Sequence, residues 1–113
     1  MTTDNNLTFG DLTLDMVEGI IHGPNGMLFL TGREFRVFRE IMRANGGSAS
    51  YELLAEAGRK SERHYTMSHE NIRQAIFTLR NNIRKCGSKV LMANRKTFGW
   101  RLVFPDEQKE IQE

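Results

Sequence analysis

The sequence predicts an α+β domain in which an N-terminal antiparallel sheet is followed by three helices and a closing β-hairpin. Three observations carry that prediction. Short apolar runs separated by turn residues fill the first thirty positions, a helical period replaces them at Thr31, and two strand-like runs flank a basic connection after the longest helix. The length of 113 residues suits one domain of the usual roughly 100–200 residues. With 39% hydrophobic and 27% charged residues and two prolines, the composition is that of an ordinary globular chain and excludes disordered, collagenous and disulfide-stapled classes. Cys86 has no second cysteine to pair with, which suits a reducing compartment. No apolar run approaches the ~20 residues of a membrane span, and the start of the chain lacks the basic and apolar regions of a signal peptide. The expectation is a cytoplasmic protein without a membrane partner.

Four strands are expected at Leu7 to Phe9, Leu12 to Asp15, Gly19 to His22 and Met27 to Leu30. Gly10-Asp11, Met16 to Glu18 and Gly23-Pro24-Asn25-Gly26 separate them. The last is a hairpin signal, because Asn and Gly tolerate the positive φ of tight turns. Thr31-Gly-Arg-Glu34 then reads as a capping box that opens the first helix. Phe35, Phe38, Ile41 and Met42 recur at helical spacing until Asn45-Gly46-Gly47 stops them. Ser50 caps a second helix from Tyr51 to Ala57, and a polar, basic loop leads on to Ser68. The third helix, from about Ser68 to Lys85, carries Ile72, Ile76, Leu79 and Ile83 on one stripe and stops at Gly87. Val90 to Met92 and Trp100 to Phe104 are the strands of the closing hairpin, with Asn94, Arg95, Lys96 and Thr97 at its tip. The domain is expected to span residues 1–104. The acidic tail of residues 105–113 is expected to fray, with Ile111 as its one anchor.

The formal charge of +2 hides a strong polarity. From Arg59 to Arg101 there are 11 basic and two acidic residues, a balance of +9, while the rest of the chain carries −7. Such a basic half is the electrostatic footprint of a phosphate-backbone binder. At 100° per residue, Arg73, Arg80 and Arg84 share one flank of the third helix, at i, i+7 and i+11, where they can donate to successive phosphates. Asn71, Gln74 and Thr78 are suited to base edges, and amides pair bidentately with adenine in a major groove. Phe77 lies off the isoleucine stripe; it packs under the preceding loop, or else touches a thymine methyl or a protein partner. Arg95, Lys96 and Thr97 at the hairpin tip suit a minor groove or its phosphates. Trp100 reads as a packing residue at the hairpin base rather than a stacking platform.

Features of catalysis are missing from the sequence. His22, His64, His69 and Cys86 match neither zinc-finger nor metalloprotease spacing, and no phosphate-binding loop or nucleophile elbow occurs. Glu52 and Glu56, at i and i+4, are most simply a solvated helix face. No enzyme activity, metal or cofactor is expected.

Taken in order, five segments form a pattern: Leu7-Thr-Phe-Gly-Asp-Leu-Thr-Leu-Asp15, Leu30-Thr-Gly-Arg-Glu-Phe35, Ser50-Tyr-Glu-Leu-Leu54, Ile72 to Arg84, and Thr97-Phe-Gly-Trp-Arg-Leu-Val103. The chain from Leu7 to Phe104 resembles the effector domain of OmpR/PhoB-type response regulators. That resemblance implies a winged helix-turn-helix: an N-terminal four-stranded antiparallel sheet, three helices and a C-terminal β-hairpin wing. It implies a third helix in the major groove of double-stranded DNA, a wing on the adjacent minor groove, and a loop before the third helix that can touch RNA polymerase. By position it places helix contacts on Glu70, Asn71, Gln74, Ala75, Phe77, Thr78 and Arg80, and wing contacts on Asn94, Lys96 and Trp100.

The departures from the family pattern qualify the expectation. Glu70, Phe77 and Thr78 stand where basic side chains are usual, and Ala57 stands where tryptophan is common. The polymerase loop, often acidic, is here Arg59-Lys-Ser-Glu-Arg-His64, which looks more like a phosphate contact through Arg63. No phosphoacceptor receiver domain lies within these residues, and the initial Met with the acidic tail favours a stand-alone protein. The leading expectation is a sequence-specific transcription regulator that binds DNA as a pair on two half-sites. The rivals are a protein-binding adaptor that uses Phe77 and the acidic half, and a non-specific architectural DNA binder.

Overall fold

The structure, a computed structural model, describes residues 6–57, 68–96 and 98–105. The first strands β1 (Leu7–Phe9), β2 (Leu12–Asp15), β3 (Ile20–Gly23) and β4 (Gly26–Phe29) form an antiparallel sheet in the order β1-β2-β3-β4. Strand alternation decides what the sheet buries. Leu14, Ile21 and Leu28 stand opposite one another on the inner face, while Thr13, His22 and Met27 share the outer one. Leu12, Leu14 and Ile21 are fully buried.

The β3–β4 connection differs from expectation in detail. Gly23 pairs with Gly26, so Pro24 and Asn25 are the two central residues, and neither adopts a positive φ. Proline pre-sets a negative φ at the first of these positions, so the turn needs no left-handed asparagine.

Helix α1 (Gly32–Arg43) starts where Thr31 accepts a hydrogen bond from the Glu34 amide, at 3.3 Å. It buries Val37, Phe38, Ile41 and Met42. The helix stops because Asn45 and Gly46 turn left-handed, at φ 48° and 91°. The next element was not expected. β5 (Ala49–Ser50) is a two-residue strand that joins the closing hairpin, and Ser50 also caps α2 (Tyr51–Ala57) by accepting from the Leu53 amide at 3.1 Å.

Helix α3 (His69–Lys85) is capped by Ser68, which accepts from the Asn71 amide at 3.1 Å. Ile72, Ala75, Ile76, Leu79 and Ile83 face the core. At the far end the Gly87 amide donates to the Arg84 carbonyl at 3.0 Å and the Ser88 amide to the Ile83 carbonyl at 3.2 Å. This paired C-terminal closure requires the left-handed φ of 79° that Gly87 supplies. Two turns of the first sheet then grip the exit. The Asn25 amide donates to the Cys86 carbonyl at 2.8 Å, and the Asp11 carboxylate accepts from the Ser88 hydroxyl and from the Lys89 amide.

The hairpin strands are β6 (Leu91–Arg95) and β7 (Gly99–Val103), which with β5 form a second sheet in the order β5-β7-β6. Both strands begin one residue away from the expected positions, because the pairing of Arg95 with Gly99 fixes the register. Gly99 is a steric requirement. A Cβ there would overlap the Ala49 carbonyl oxygen, so only glycine lets β5 and β7 approach. No described helix is long and apolar enough to cross a membrane.

Candidate nucleic-acid interface

With the isoleucine stripe buried, α3 turns Glu70, Asn71, Arg73, Gln74, Phe77, Arg80, Arg84 and Lys85 outward, with Thr78 half-buried. Two expected contacts are withdrawn by burial. Ala75 is fully buried, and Trp100 is 6% exposed at the base of the hairpin, so neither offers a surface to a ligand. Trp100 is the packing residue that its sequence context predicts.

The three arginines of one flank do not act as a uniform row. Arg80 donates from Nη2 to the Met92 carbonyl at 2.8 Å, and its guanidinium lies 5.1 Å from the Trp100 ring centroid. It ties α3 to β6 and covers the buried indole. Arg84 donates to Asn81 at 3.3 Å, an exposed contact that a stronger acceptor can replace. Together, Arg80, Arg84 and Lys89 rim a cavity of about 470 Å³ between α3 and β6, floored by Ile83, Val90 and Met92. Arg73 belongs to a different surface. With Gln74, Phe77, Thr78 and Glu70 it lines an open depression of about 460 Å³, to which Arg33 at the start of α1 also contributes. Arg73 and Glu70 form an exposed pair at 3.6 Å. Pairs of that kind are worth little and yield readily to a better partner.

Arg33 was not singled out by sequence reasoning. Residues 33 and 77 are brought together only by the packing of α1 on α3, and no local spacing signals it.

At the hairpin tip the Phe98 amide donates to the Arg95 carbonyl at 2.8 Å, and the Arg95 guanidinium lies 5.3 Å from the Phe98 ring centroid. Lys96 is exposed beside them. Asn94 also has a structural task, since its Nδ2 donates to the Gly99 carbonyl at 3.1 Å and to the Tyr51 hydroxyl at 3.2 Å. The Tyr51 ring stacks on His69 at a centroid distance of 4.2 Å, which seats the start of α3 against the start of α2. Arg63, the remainder of the loop before α3, and Thr97 lie outside the described residues. So does the acidic tail beyond Pro105. The expected packing of Phe77 under that loop also involves residues not described; the ring itself is 64% exposed.

Cys86 is buried, and desolvation pushes its thiol above the ordinary cysteine value. Among the described residues, no three His, Cys, Asp or Glu side chains come together to hold a metal.

No protein-family model and no curated protein matches the sequence. Solved structures do match. The DNA-binding domain of Escherichia coli CadC superposes with a TM-score of 0.72 at 18% identity, over 92% of this chain and 96% of that one. The fold is a winged helix-turn-helix. The DNA-binding domain of the response regulator AdeR, solved in complex with an intercistronic region, gives a TM-score of 0.69 at 15% identity, over 84% of this chain and 96% of its own. That of Klebsiella pneumoniae RstA, solved in complex with the RstA box, gives 0.66 at 17% identity, over 88% and 98%. The resemblance to OmpR/PhoB-type effector domains therefore holds at the level of the winged-helix fold, with the four-stranded sheet, three helices and C-terminal wing in the expected order.

Proposed function

We propose that the chain is a sequence-specific double-stranded DNA-binding transcription regulator, with α3 in the major groove and the wing on the adjacent minor groove. The observation that carries this reading is the outward face of α3, where amides and cations stand together on a helix capped and anchored at both ends. Asn71, Gln74 and Thr78 face base edges, while Arg73 and Arg84 take phosphates. Arg95 and Lys96 extend the cationic surface along the wing. Arg80 serves first as the strut between α3 and the wing and adds positive potential to the same flank. Solved winged helices bound to DNA, such as the AdeR and RstA domains, support the reading by analogy of fold.

A regulator of this kind works in the cytoplasm and binds as a pair on two half-sites. Contact with RNA polymerase would fall to the loop before α3. Selection of binding sites from random duplex DNA at near-physiological salt tests the reading. A defined motif with two half-sites about one helical turn apart is the expected result. With six or more phosphate contacts, affinity falls roughly 10³-fold or more over a fourfold rise in salt. Uniform recovery would mean architectural binding. No recovery would favour a protein-binding adaptor, the reading that Glu70 and Phe77 on the same face support.

A further inference from the structure

Phe77 is the residue that the reading above does not use. The other large apolar side chains of α3, Ile72, Ile76, Leu79 and Ile83, are at most 2% exposed, whereas Phe77 is 64% exposed. Its ring lies near the middle of the outward face, one turn from both Arg73 and Gln74. The depression that Phe77 helps to line is also lined by Arg33 from α1 and by Glu70, Arg73, Gln74 and Thr78 from α3.

We infer that Phe77 reads the 5-methyl group of a pyrimidine, in unmodified DNA a thymine, in the major groove. The inference rests on α3 being the reading helix. A phenyl ring has no hydrogen bond to offer a base edge. In the major groove the base-edge feature that gains most from an apolar neighbour is the thymine methyl, since the other groups there are donors, acceptors or small ring C–H edges. Charge sorts the surroundings in the same sense. Arg33 and Arg73 attract phosphates, while the Glu70 carboxylate, which lines the same depression and pairs with Arg73 at 3.6 Å, repels a phosphate placed beside it. A base edge can stand next to Glu70 without that penalty, and Glu70 can itself accept from a cytosine amino group at a neighbouring pair. The two arginines also favour a polyanion over an apolar protein surface, which would bury both guanidinium groups without partners.

The test uses the full chain and a duplex recovered by site selection. Each thymine is replaced in turn by deoxyuridine, which removes the methyl and keeps every hydrogen-bonding group, and dissociation constants are measured by fluorescence anisotropy. At one position per half-site the loss of the methyl should weaken binding about three- to fivefold, the worth of one buried methyl group. Phe77→Ala should bind the thymine and deoxyuridine duplexes equally, and Phe77→Leu should keep part of the preference. Placing 5-methylcytosine opposite guanine at that position should recover more affinity than unmethylated cytosine. The exposed ring makes both variants safe for folding, which thermal unfolding checks. The inference is overturned if no deoxyuridine substitution weakens the parent chain, or if Phe77→Ala keeps the same thymine preference. A defined motif with no methyl dependence would leave the DNA reading standing and make Phe77 a protein contact. Failure to recover any motif would remove both.

Discussion

Two surfaces along one flank of α3 both carry arginines and do different work. On the wing side Arg80 is committed to the Met92 carbonyl and the Trp100 ring, within a surface whose floor is core. On the α1 side Arg73 pairs with an exposed glutamate, and the surface it shares holds an exposed phenyl ring. The lesson is that a cation's helical angle says where it points, and only its partners say whether it is available. Substitutions on the wing side should therefore be read in stability as well as binding, and those on the α1 side in DNA binding with stability unchanged.

The sharpest break in that comparison is Gly99→Ala. Because its Cβ would overlap the Ala49 carbonyl oxygen, β5 and β7 must separate, and a loss of about 3–5 kcal/mol in denaturant unfolding is expected. Wild-type stability in that variant would mean that β5 is not needed to hold the wing. Next comes Arg80→Ala, expected to lower stability by about 1–2 kcal/mol through the lost charge-assisted hydrogen bond and ring contact, discounted for partial exposure. It should also weaken DNA binding. If only binding changed, Arg80 would be a phosphate contact and not a strut.

Gln74→Ala should leave unfolding unchanged and relax preference at one base pair by about 1–2 kcal/mol in competition binding. Arg73→Ala should weaken every sequence alike and lower the slope of log affinity against log salt by about one, again with stability within about 0.5 kcal/mol. The smallest effect concerns Cys86. Its thiol is raised in the folded state, so the ionised form is disfavoured there. The stabilisation is complete below the unfolded cysteine value and is lost as pH rises through the folded one. Stability should thus decline above about pH 9 more steeply in the parent than in Cys86→Ala, as equilibrium unfolding across that range would show.

The elements set by local chemistry were legible in the sequence. Thr31 and Ser68 mark helix starts through their own side-chain hydrogen bonds, Gly87 marks a stop through its φ, and strand alternation places Leu14 and Ile21 inside. What was not legible depends on partners far away in the chain. β5 is two residues long and exists only because β7 lies beside it. Arg80 and Arg73 are nearly equivalent on a helical wheel and are told apart by their partners, the Met92 carbonyl and Trp100 ring for one and Glu70 for the other. Arg33 meets the Phe77 surface through the packing of α1 on α3, which no spacing within either helix encodes. Ala75 was named through resemblance by position, yet it belongs to the buried face.

The grip on the end of α3 has a mechanical meaning. Residues 86–89 are held by the β1–β2 turn through Asp11 and by the β3–β4 turn through Asn25, so the helix pivots on the N-terminal sheet. A helix of 17 residues is about 25 Å long, and a tilt of about 10° at the pivot sweeps its far end by about 4 Å. At Gln74, about 16 Å from the pivot, the same tilt amounts to about 3 Å, close to the rise between adjacent base pairs, so on the proposed reading two short turns of the N-terminal sheet would help set the register of that side chain on DNA.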